Sequence, residues 1–226
     1  METPGHSRKL PELPGNSRNF KSMNTEIIEE PAVYEDAFLR GDELNRWLRS
    51  EATFRTEIHG GTPRCIARLT DEWVKEVKDS LRCLTNRRVS NLLTFARMST
   101  TTRDARPRIH ADSTMDATHA FVWSGEEPPS EMPGSGTGFF RHAVHGVSLP
   151  LTRENRGEHE RLLREETDRL PRWRLWTVMP LGKNRLTVYR ADFFHCRYPF
   201  IGWGSSQEDA RVVVVGFVTL GKEVSV

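Results

Sequence analysis

The stretch RVVVVGFVTL, from Arg211 to Leu220, is the most strand-like part of the chain and decides the fold class. It is rich in β-branched and aromatic residues, which favour a pleated strand. Other runs of strand length precede it, separated by Gly, Pro, Asp and Ser: VSNLLTFARM, RPRIHAD, THAFVW, GTGFFRH, WRLWTVMP and RLTVYRADFFH. Short strands spaced by turn formers favour a sandwich or barrel over alternating strand–helix units. We therefore predict a mainly β fold with supporting α-helices.

Helical spacing of apolar residues appears in three other segments. YEDAFLRGDELNRWLRSEATF (Tyr34 to Phe54) has this spacing, interrupted by Gly41. IARLTDEWVKEVKDSLRCL carries a helix start signal at Thr70–Asp71 and an apolar face after it. The third segment, RENRGEHERLLREETDRL, is highly charged and lies between two strand-like runs. We expect the first two helices to act as supports packed against another part of the protein.

The domain boundaries follow from these changes in character. Residues 1–24 are rich in Pro, Gly, Ser and charge, which predicts a flexible tail. We expect residues 25–226 to form a single domain, with helical support at about 30–86 and the β-barrel core at about 87–220.

Composition excludes several classes of protein. The 226 residues include 33 basic and 31 acidic side chains, so there is no basic excess of the kind that nucleic-acid binders carry. Three scattered cysteines without a C-x-x-C pair argue against a disulfide framework and a thiolate zinc site. No apolar run approaches the roughly 20 residues of a membrane span, and the N-terminus lacks the apolar core of a signal peptide. We expect a cytoplasmic protein that binds neither nucleic acid nor membrane.

A candidate metal site begins with the H-x-D triplet of RIHAD, His110 and Asp112. Residues i and i+2 of an extended strand share a face, so both side chains can point at one ion. His195 in FFHC adds a second imidazole further along the chain. Two histidines and one carboxylate match the facial triad of non-heme Fe(II) oxygenases. Arg211, at the start of the last strand, can hold a carboxylate through its guanidinium group.

Other polar residues compete for these roles. Asp116 and His119 lie close to His110 in sequence, but nine residues separate the two histidines, which places them on opposite sides of a regular strand. His142 and His145 form an H-x-x-H pair in a stretch that reads as strand and turn. For all of these we favour ordinary polar contacts over metal binding.

RIHAD, GTGFFRH, RWRLWTVMPLGKNRLTVYRADFFH and DARVVVVGFV, in this order, resemble the Fe(II)/2-oxoglutarate-dependent dioxygenases. The likeness is to their smaller prolyl-hydroxylase-like branch, in its short bacterial form, and it covers about residues 87 to 220. The resemblance implies a double-stranded β-helix, also called a jelly-roll or cupin-like barrel. It further implies His110, Asp112 and His195 as catalytic iron ligands, and Arg211 as the residue that binds the 2-oxoglutarate carboxylate.

The co-substrate anchor and the substrate contacts have alternatives. The insert YPFIGWGSSQEDA makes the interval before Arg211 longer than in many prolyl-hydroxylase-like enzymes, so Arg197 and Arg190 remain candidates for the anchor. The substrate contacts are less defined and fall on three residues, each with a plain structural role as its alternative. They are Arg141, which otherwise forms a salt bridge, and Trp123 and Tyr189, which otherwise belong to the core.

The functional expectation is an oxidoreductase that uses Fe(II), 2-oxoglutarate and O2. The resemblance implies hydroxylation rather than halogenation, because Asp112 fills the carboxylate position. We expect a hydroxylase acting on an unactivated C–H bond of a small molecule, an amino acid or a biosynthetic intermediate. The arginines near the expected pocket are compatible with a substrate that bears a carboxylate or phosphate. A peptide or protein side-chain hydroxylase is one alternative. A non-catalytic cupin-like binding protein is another, and the intact triad argues against it.

Overall fold

The computed structural model describes residues 30–59, 62–101, 108–112 and 117–223. The tail expected at residues 1–24 lies outside this part of the chain. The described residues form strands, α-helices and one short 3₁₀ helix at Leu170–Arg172. The strands are β1 (Ala32–Tyr34), β2 (Arg55–His59), β3 (Thr62–Arg68), β4 (Arg87–Ser99), β5 (His119–Ser124), β6 (Gly136–His142), β7 (Trp173–Pro180), β8 (Arg185–Arg190), β9 (His195–Tyr198) and β10 (Arg211–Glu223). The α-helices are α1 (Gly41–Ser50), α2 (Asp71–Thr85) and α3 (Arg156–Glu165). Across these ranges, no helix combines the length and the apolar character that crossing a membrane requires.

Seven strands form one antiparallel sheet in the order β1-β8-β5-β10-β4-β3-β2. Strand β10 lies at its centre, as its run of valines predicts, and pairs with β4 on one side and β5 on the other. Val214 lies opposite Ala96 in β4 and opposite Trp123 in β5. Residues 214–218 of β10 therefore have paired neighbours on both edges, whereas residues 211–213 pair with β4 alone.

Three strands form a second antiparallel sheet in the order β7-β6-β9. An isolated bridge between His110 and His195 adds the segment around His110 beyond β9. From β4 onward the chain passes repeatedly between the large and the small sheet: β4, the His110 segment, β5, then β6 and β7, β8, β9 and β10. This alternation between two antiparallel sheets is a double-stranded β-helix. The predicted fold class, mainly β with a jelly-roll core, is confirmed.

The strands alternate between two apolar clusters because successive side chains point to opposite faces. Along β10, Val212, Val214 and Val218 pack against the helical layer, with buried residues of α1 and α2. Val213 lies in a different cluster, between the two sheets, with Phe139 of β6 and Tyr189 of β8. Helices α1 and α2 thus cover one face of the large sheet, and the small sheet packs on the other face.

Helix α2 shows how the sequence sets the helical layer. The Thr70 side chain accepts a hydrogen bond from the Trp73 backbone N–H at 3.4 Å, which confirms the predicted start of this helix. Trp73, Val77 and Leu81 recur at a spacing of four and are buried on one face. Asn86 ends the helix in the left-handed conformation with φ of 52°.

The segment at 30–86 differs from the expected helical support because it also contributes three strands. Helix α1 occupies only Gly41–Ser50, not the whole of Tyr34 to Phe54. β1 precedes it, and the β2–β3 hairpin follows it and extends the large sheet beyond β4. β1 and β2 are the two edge strands of the sheet, and β3 lies between β2 and β4. The stability of these strands comes from pairing with other strands, such as Cys65 opposite Met98. Local periodicity does not report such pairing.

Two strand-like runs also end differently from the prediction. RLTVYRADFFH is not one strand, because β8 ends at Arg190 and His195 begins β9 in the other sheet. Within the described part of RPRIHAD, residues 108–112, the only β pairing is the bridge at His110. The charged insertion forms α3, which is shorter than the run that predicted it.

Asn184 ties the turn between β7 and β8 to the chain that leads into α1. Its Oδ1 accepts hydrogen bonds from the Phe38 backbone N–H at 3.0 Å and from the Trp123 indole N–H at 2.9 Å. Its Nδ2 donates to the Phe38 carbonyl at 2.9 Å. Phe38 and Trp123 are themselves stacked with centroids 5.0 Å apart. One amide side chain therefore satisfies three polar groups on two separate parts of the core, Phe38 and Trp123.

We predict that Asn184→Ala lowers the free energy of unfolding by about 2–3 kcal/mol, because it leaves buried donors and a carbonyl without partners. Chemical denaturation measures the change. Asn86→Ala is the matched control, since Asn86 is exposed and has the same left-handed backbone (φ of 52° against 49° for Asn184) but bridges nothing among the described residues. Equal losses in the two variants would contradict the bridging role of Asn184.

Candidate metal centre and cavity

Backbone hydrogen bonds fix the relative positions of His110, Asp112 and His195. The His110 N–H donates to the His195 carbonyl at 3.0 Å, and the His195 N–H donates to the His110 carbonyl at 2.8 Å. The Asp112 N–H donates to the Ala191 carbonyl at 2.7 Å. An otherwise irregular segment is thereby held against the start of β9, and residues far apart in sequence become neighbours.

The side chains of the three residues converge. The Asp112 carboxylate lies 3.3 Å from His110 Nε2 through Oδ1 and 3.1 Å from His195 Nε2 through Oδ2. The two imidazole centroids are 4.7 Å apart. All three ligand atoms lie within 4.8 Å of one another, and no other group of three His, Cys, Asp or Glu in the described ranges does so.

Both imidazoles are oriented by backbone carbonyls. His110 Nδ1 lies 2.7 Å from the Arg108 carbonyl, and His195 Nδ1 lies 3.0 Å from the Phe193 carbonyl. A carbonyl only accepts, so each Nδ1 carries the proton and donates it. In the neutral ring the proton is then absent from Nε2, whose lone pair faces Asp112. This is the arrangement in which histidine binds a metal.

The local electrostatics favour the same protonation states. Burial opposes ionisation of Asp112, but its contacts with the His195 and His110 imidazoles hold the pKa of Asp112 well below its ordinary value. Burial lowers the pKa of His110, although contact with Asp112 opposes this effect. An ionised carboxylate and a neutral imidazole are the forms that bind a metal ion.

This donor set fits a ferrous ion. Two imidazole nitrogens and one carboxylate form a triad that leaves coordination positions open, which is the pattern of non-heme Fe(II) sites. The absence of thiolate from the group argues against a structural zinc site. His110, Asp112 and His195 would hold the ion, and their open side faces the cavity described below.

The competing histidines lie elsewhere. His119 is in β5, and its Nδ1 is 2.8 Å from the Thr118 hydroxyl. His142 Nε2 is 3.0 Å from a Glu166 carboxylate oxygen, and His145 stacks on His142 at 4.8 Å. Asp116 falls outside the described residues.

A cavity of about 580 Å³, its mouth included, lies between the sheets and contains the three converging residues in its wall. Its apolar wall comes mainly from β10 and β5. The charged residues that line it, apart from the histidines, are one carboxylate and four arginines: Asp112, Arg64, Arg97, Arg197 and Arg211. The cavity wall therefore carries guanidinium groups, which can bind an anion.

Arg211 is the most deeply placed of these arginines, with 4% of its surface exposed. Its Nη2 donates to the Gly136 carbonyl at 3.4 Å, its guanidinium lies 6.0 Å from the Trp203 ring centroid, and its Nε has no hydrogen-bond partner. No carboxylate of the described residues pairs with it. Burial lowers the pKa of Arg211 well below its ordinary value, and the charges of Arg197 and Arg97 add to this. Within the described part of the chain, no carboxylate compensates this buried charge.

The other two candidates for the anchor are placed differently. Arg190 makes a two-pronged ion pair with Asp192, at 3.0 Å and 2.6 Å, and does not line this cavity. Arg197 does line it, and its Nη2 donates to the Phe200 carbonyl at 2.6 Å. The choice for a buried carboxylate anchor is therefore between Arg211 and Arg197.

Of the three candidate substrate contacts, only Tyr189 lines the cavity. Tyr189 lines the cavity with its ring 4.7 Å from that of His195, and burial keeps the pKa of its hydroxyl well above the ordinary value, so the hydroxyl stays protonated. Trp123 is completely buried in the cluster on the helical face, which corrects the expectation that it reaches the pocket. Its position in β5 alternates with Val122, which faces the cavity. Arg141 is exposed and lies over Trp176 at 5.6 Å, outside the cavity wall.

Sequence reasoning missed Arg64 and Arg97 as cavity residues. Arg97 is in β4, where Phe95, Arg97 and Ser99 alternate with Ala96 and Met98. That alternation was a usable signal for a polar residue on the inner face. Arg64 is in β3, a strand that the sequence did not predict, so its position could not be inferred.

The known proteins that this chain matches are solved structures. No protein-family profile matches the sequence, and no curated protein matches it. The fold is similar to a prolyl-4-hydroxylase from Pseudomonas putida, with 11% identity, a TM-score of 0.48, and coverage of 84% of this chain and 91% of that one. It is also similar to a prolyl hydroxylase from Trichoplax adhaerens, solved with a hypoxia-inducible-factor oxygen degradation domain peptide fragment. That likeness has 9% identity, a TM-score of 0.49, and coverage of 83% and 82%.

We predict that replacing His110, Asp112 or His195 with Ala weakens Mn²⁺ binding by at least about 100-fold, because outer-shell partners of metal ligands alone account for about 10–100-fold. Isothermal titration calorimetry under anaerobic conditions measures the affinity. His119→Ala is the control, and we expect it to change the affinity by less than about threefold. Retention of binding in the Asp112 variant would show that these residues do not form a metal site.

Proposed function

We propose that this protein is an Fe(II)/2-oxoglutarate-dependent oxygenase that hydroxylates a C–H bond of a small molecule. One observation carries the proposal: the convergence of His110, Asp112 and His195 in the wall of a cavity that also holds the buried Arg211. A triad with open positions suits a redox-active ferrous ion, and a buried guanidinium without a carboxylate partner suits an acid co-substrate.

Arg211 is the proposed anchor for the distal carboxylate of 2-oxoglutarate. Its guanidinium reaches the Gly136 carbonyl at the first residue of β6, and the next residue, Thr137, lines the cavity. A guanidinium binds a carboxylate through two parallel hydrogen bonds, and in a site removed from water these are stronger than neutral ones. The uncompensated charge of Arg211 is then neutralised when the co-substrate binds.

When bound, the iron supplies the reaction of O2 with 2-oxoglutarate, which yields succinate, CO2 and one oxygen atom for the substrate C–H bond. The protein residues position and protect that reaction. The carbonyls of Arg108 and Phe193 hold the imidazoles in one tautomer, and the Tyr189 ring packs against His195. Apolar side chains of β10 and β5 keep water from the reacting groups.

The presence of Asp112 favours oxygen transfer over halogenation, because a carboxylate occupies the position that a halide would need. The cavity is enclosed between two sheets, and this supports a free small molecule as substrate more than a folded protein surface. The intact, oriented triad also supports an enzyme more than a binding protein that has kept only the fold.

We predict that the purified protein forms succinate from 2-oxoglutarate in the presence of Fe²⁺ and ascorbate, and that His110→Ala and Asp112→Ala reduce this rate by at least about 100-fold. Arg211→Gln should raise the KM for 2-oxoglutarate by about 10- to 100-fold, the loss of one charge-assisted contact. Arg141→Gln is the control with an arginine removed outside the cavity, and should stay within about twofold. Succinate formation that persists in both triad variants would exclude the proposed function.

A further inference from the structure

The cavity face of β10 changes from charged to apolar along the strand. The side chains on this face are Arg211, Val213, Val215 and Phe217, and all four line the cavity. Arg211 and Val213 are buried, whereas Val215 and Phe217 are half-buried. Because exposure increases along the strand, the cavity opens to solvent at its apolar end, and the proposed co-substrate anchor lies at its closed end.

Strand β4 contributes apolar residues to the same open end. Phe95 lies opposite Val215, and Leu93 lies opposite Phe217. The rings of Phe95 and Phe217 lie against each other with centroids 6.4 Å apart. Phe95 lines the cavity, and Leu93, two residues earlier on the same face, is 59% exposed. These four residues form one apolar surface, which we call the mouth patch.

A β-bulge ends the mouth patch on β4. Phe217 lies opposite Leu93, but Thr219 lies opposite Ser90, so β4 has one extra residue in this interval. Asn91, which falls within it, has a left-handed backbone with φ of 47°. Bulges occur often beside active sites, where they bend a strand or end its regular pairing. The residues at the bulge are polar, and an apolar surface bounded by polar residues is typical of a ligand-binding groove.

The strand register places the mouth patch level with the metal centre. Phe217 lies opposite Ala120 of β5, which in turn lies opposite Tyr189 of β8. Neighbouring strands are about 4.8 Å apart, so the backbones at Phe217 and Tyr189 are about 10 Å apart across the sheet. The Tyr189 ring is 4.7 Å from the ring of His195. Arg211, by contrast, is separated from Phe217 by about 20 Å of strand.

We infer that the mouth patch binds an apolar group of the substrate, which is therefore a small molecule with an aromatic ring or an aliphatic chain. The inference rests on the proposed function, because it concerns the molecule that is oxidised at the triad. Removing apolar surface from water is favourable in proportion to its area, and the half-buried rings of Phe95 and Phe217 offer such surface inside the cavity. A group held there brings the neighbouring C–H bonds close to the metal centre.

The test uses the full chain loaded with Mn²⁺ and saturating 2-oxoglutarate, without O2, and follows neutral fluorinated alcohols by fluorine NMR. The probes are para-fluorobenzyl alcohol for the aromatic arm, fluorohexanol for the aliphatic arm, and fluoroethanol as the counterpart without an apolar group. We expect one or both of the apolar probes to bind at least about 10-fold tighter than fluoroethanol. Paramagnetic Mn²⁺ should broaden the signal of a probe bound near the triad, and Zn²⁺ should not.

Variants of the mouth patch assign the binding to its residues. Phe95→Ala and Phe217→Ala should each weaken the bound probe by about 10-fold, and weaken it more than they weaken 2-oxoglutarate. Phe217→Leu keeps most of the apolar area, so binding should stay within about threefold of the original. Leu175→Ala is the control, since Leu175 is an exposed apolar residue of β7 outside the cavity. Thermal melts confirm folding, and Leu93→Ser, at an exposed position, should weaken the probe by about threefold even where a Phe variant fails to fold.

The remaining outcomes contradict the inference. If the apolar probes bind no tighter than fluoroethanol, or bind equally well to Phe95→Ala and Phe217→Ala, the inference is overturned, and bound 2-oxoglutarate leaves the proposed function standing. Binding that requires deletion of residues 1–24 would assign the mouth patch to the N-terminus of the chain itself. A dimer that Leu93→Ser dissociates in sedimentation would assign it to a second copy. If 2-oxoglutarate does not bind, the proposed function fails, and the inference about its substrate fails with it.

Discussion

The paired backbone hydrogen bonds between His110 and His195 are the interaction on which the rest of the site depends. They join an irregular segment to the first residue of β9, and so they set the distance between two imidazoles that are far apart in sequence. Neither histidine could take this position through its side chain alone. The same bridge extends the small sheet by one segment and completes the alternation between sheets. The same pair of backbone hydrogen bonds therefore supports both the fold and the candidate metal centre.

The two faces of β10 have different roles, one in the core and the other in the cavity wall. Val212, Val214 and Val218 contribute to the core under the helices, whereas Arg211, Val213 and Val215 face the space between the sheets. Because side chains along a strand alternate between two faces, a substitution in β10 acts first either on the stability of the core or on the wall of the cavity. Changes at the first set create cavities in the core and reduce stability. Changes at the second set alter the wall or the charge of the site.

The predictable part of this protein was set by local patterns. The β class, helix α2 with its Thr70 start, and the limits of β6 and β7 follow from residue type and spacing, and so does the selection of His110, Asp112 and His195 as a group. Pairing between distant segments was less accessible. The hairpin of β2 and β3 depends on contacts with β4, and for that reason the role of Arg64 was not visible. Trp123 was a candidate pocket residue, with the core as its alternative. The alternation of side chains along β5 places it in the core on the helical face instead.

The electrostatic balance of the cavity connects the metal centre with the arginines. Asp112 is the one carboxylate among the described lining residues, and its two oxygens are directed at His110 and His195, so it does not serve as the partner of a guanidinium there. Arg211, which pairs with no carboxylate of the described residues, is thus left to an anion that enters the cavity. A cavity arranged in this way is costly to an empty protein, because buried charge is stabilising only when it is paired. Its persistence in the fold is understandable if the compensating charges arrive with the ligands, since any ligand that binds only the native state also stabilises that state.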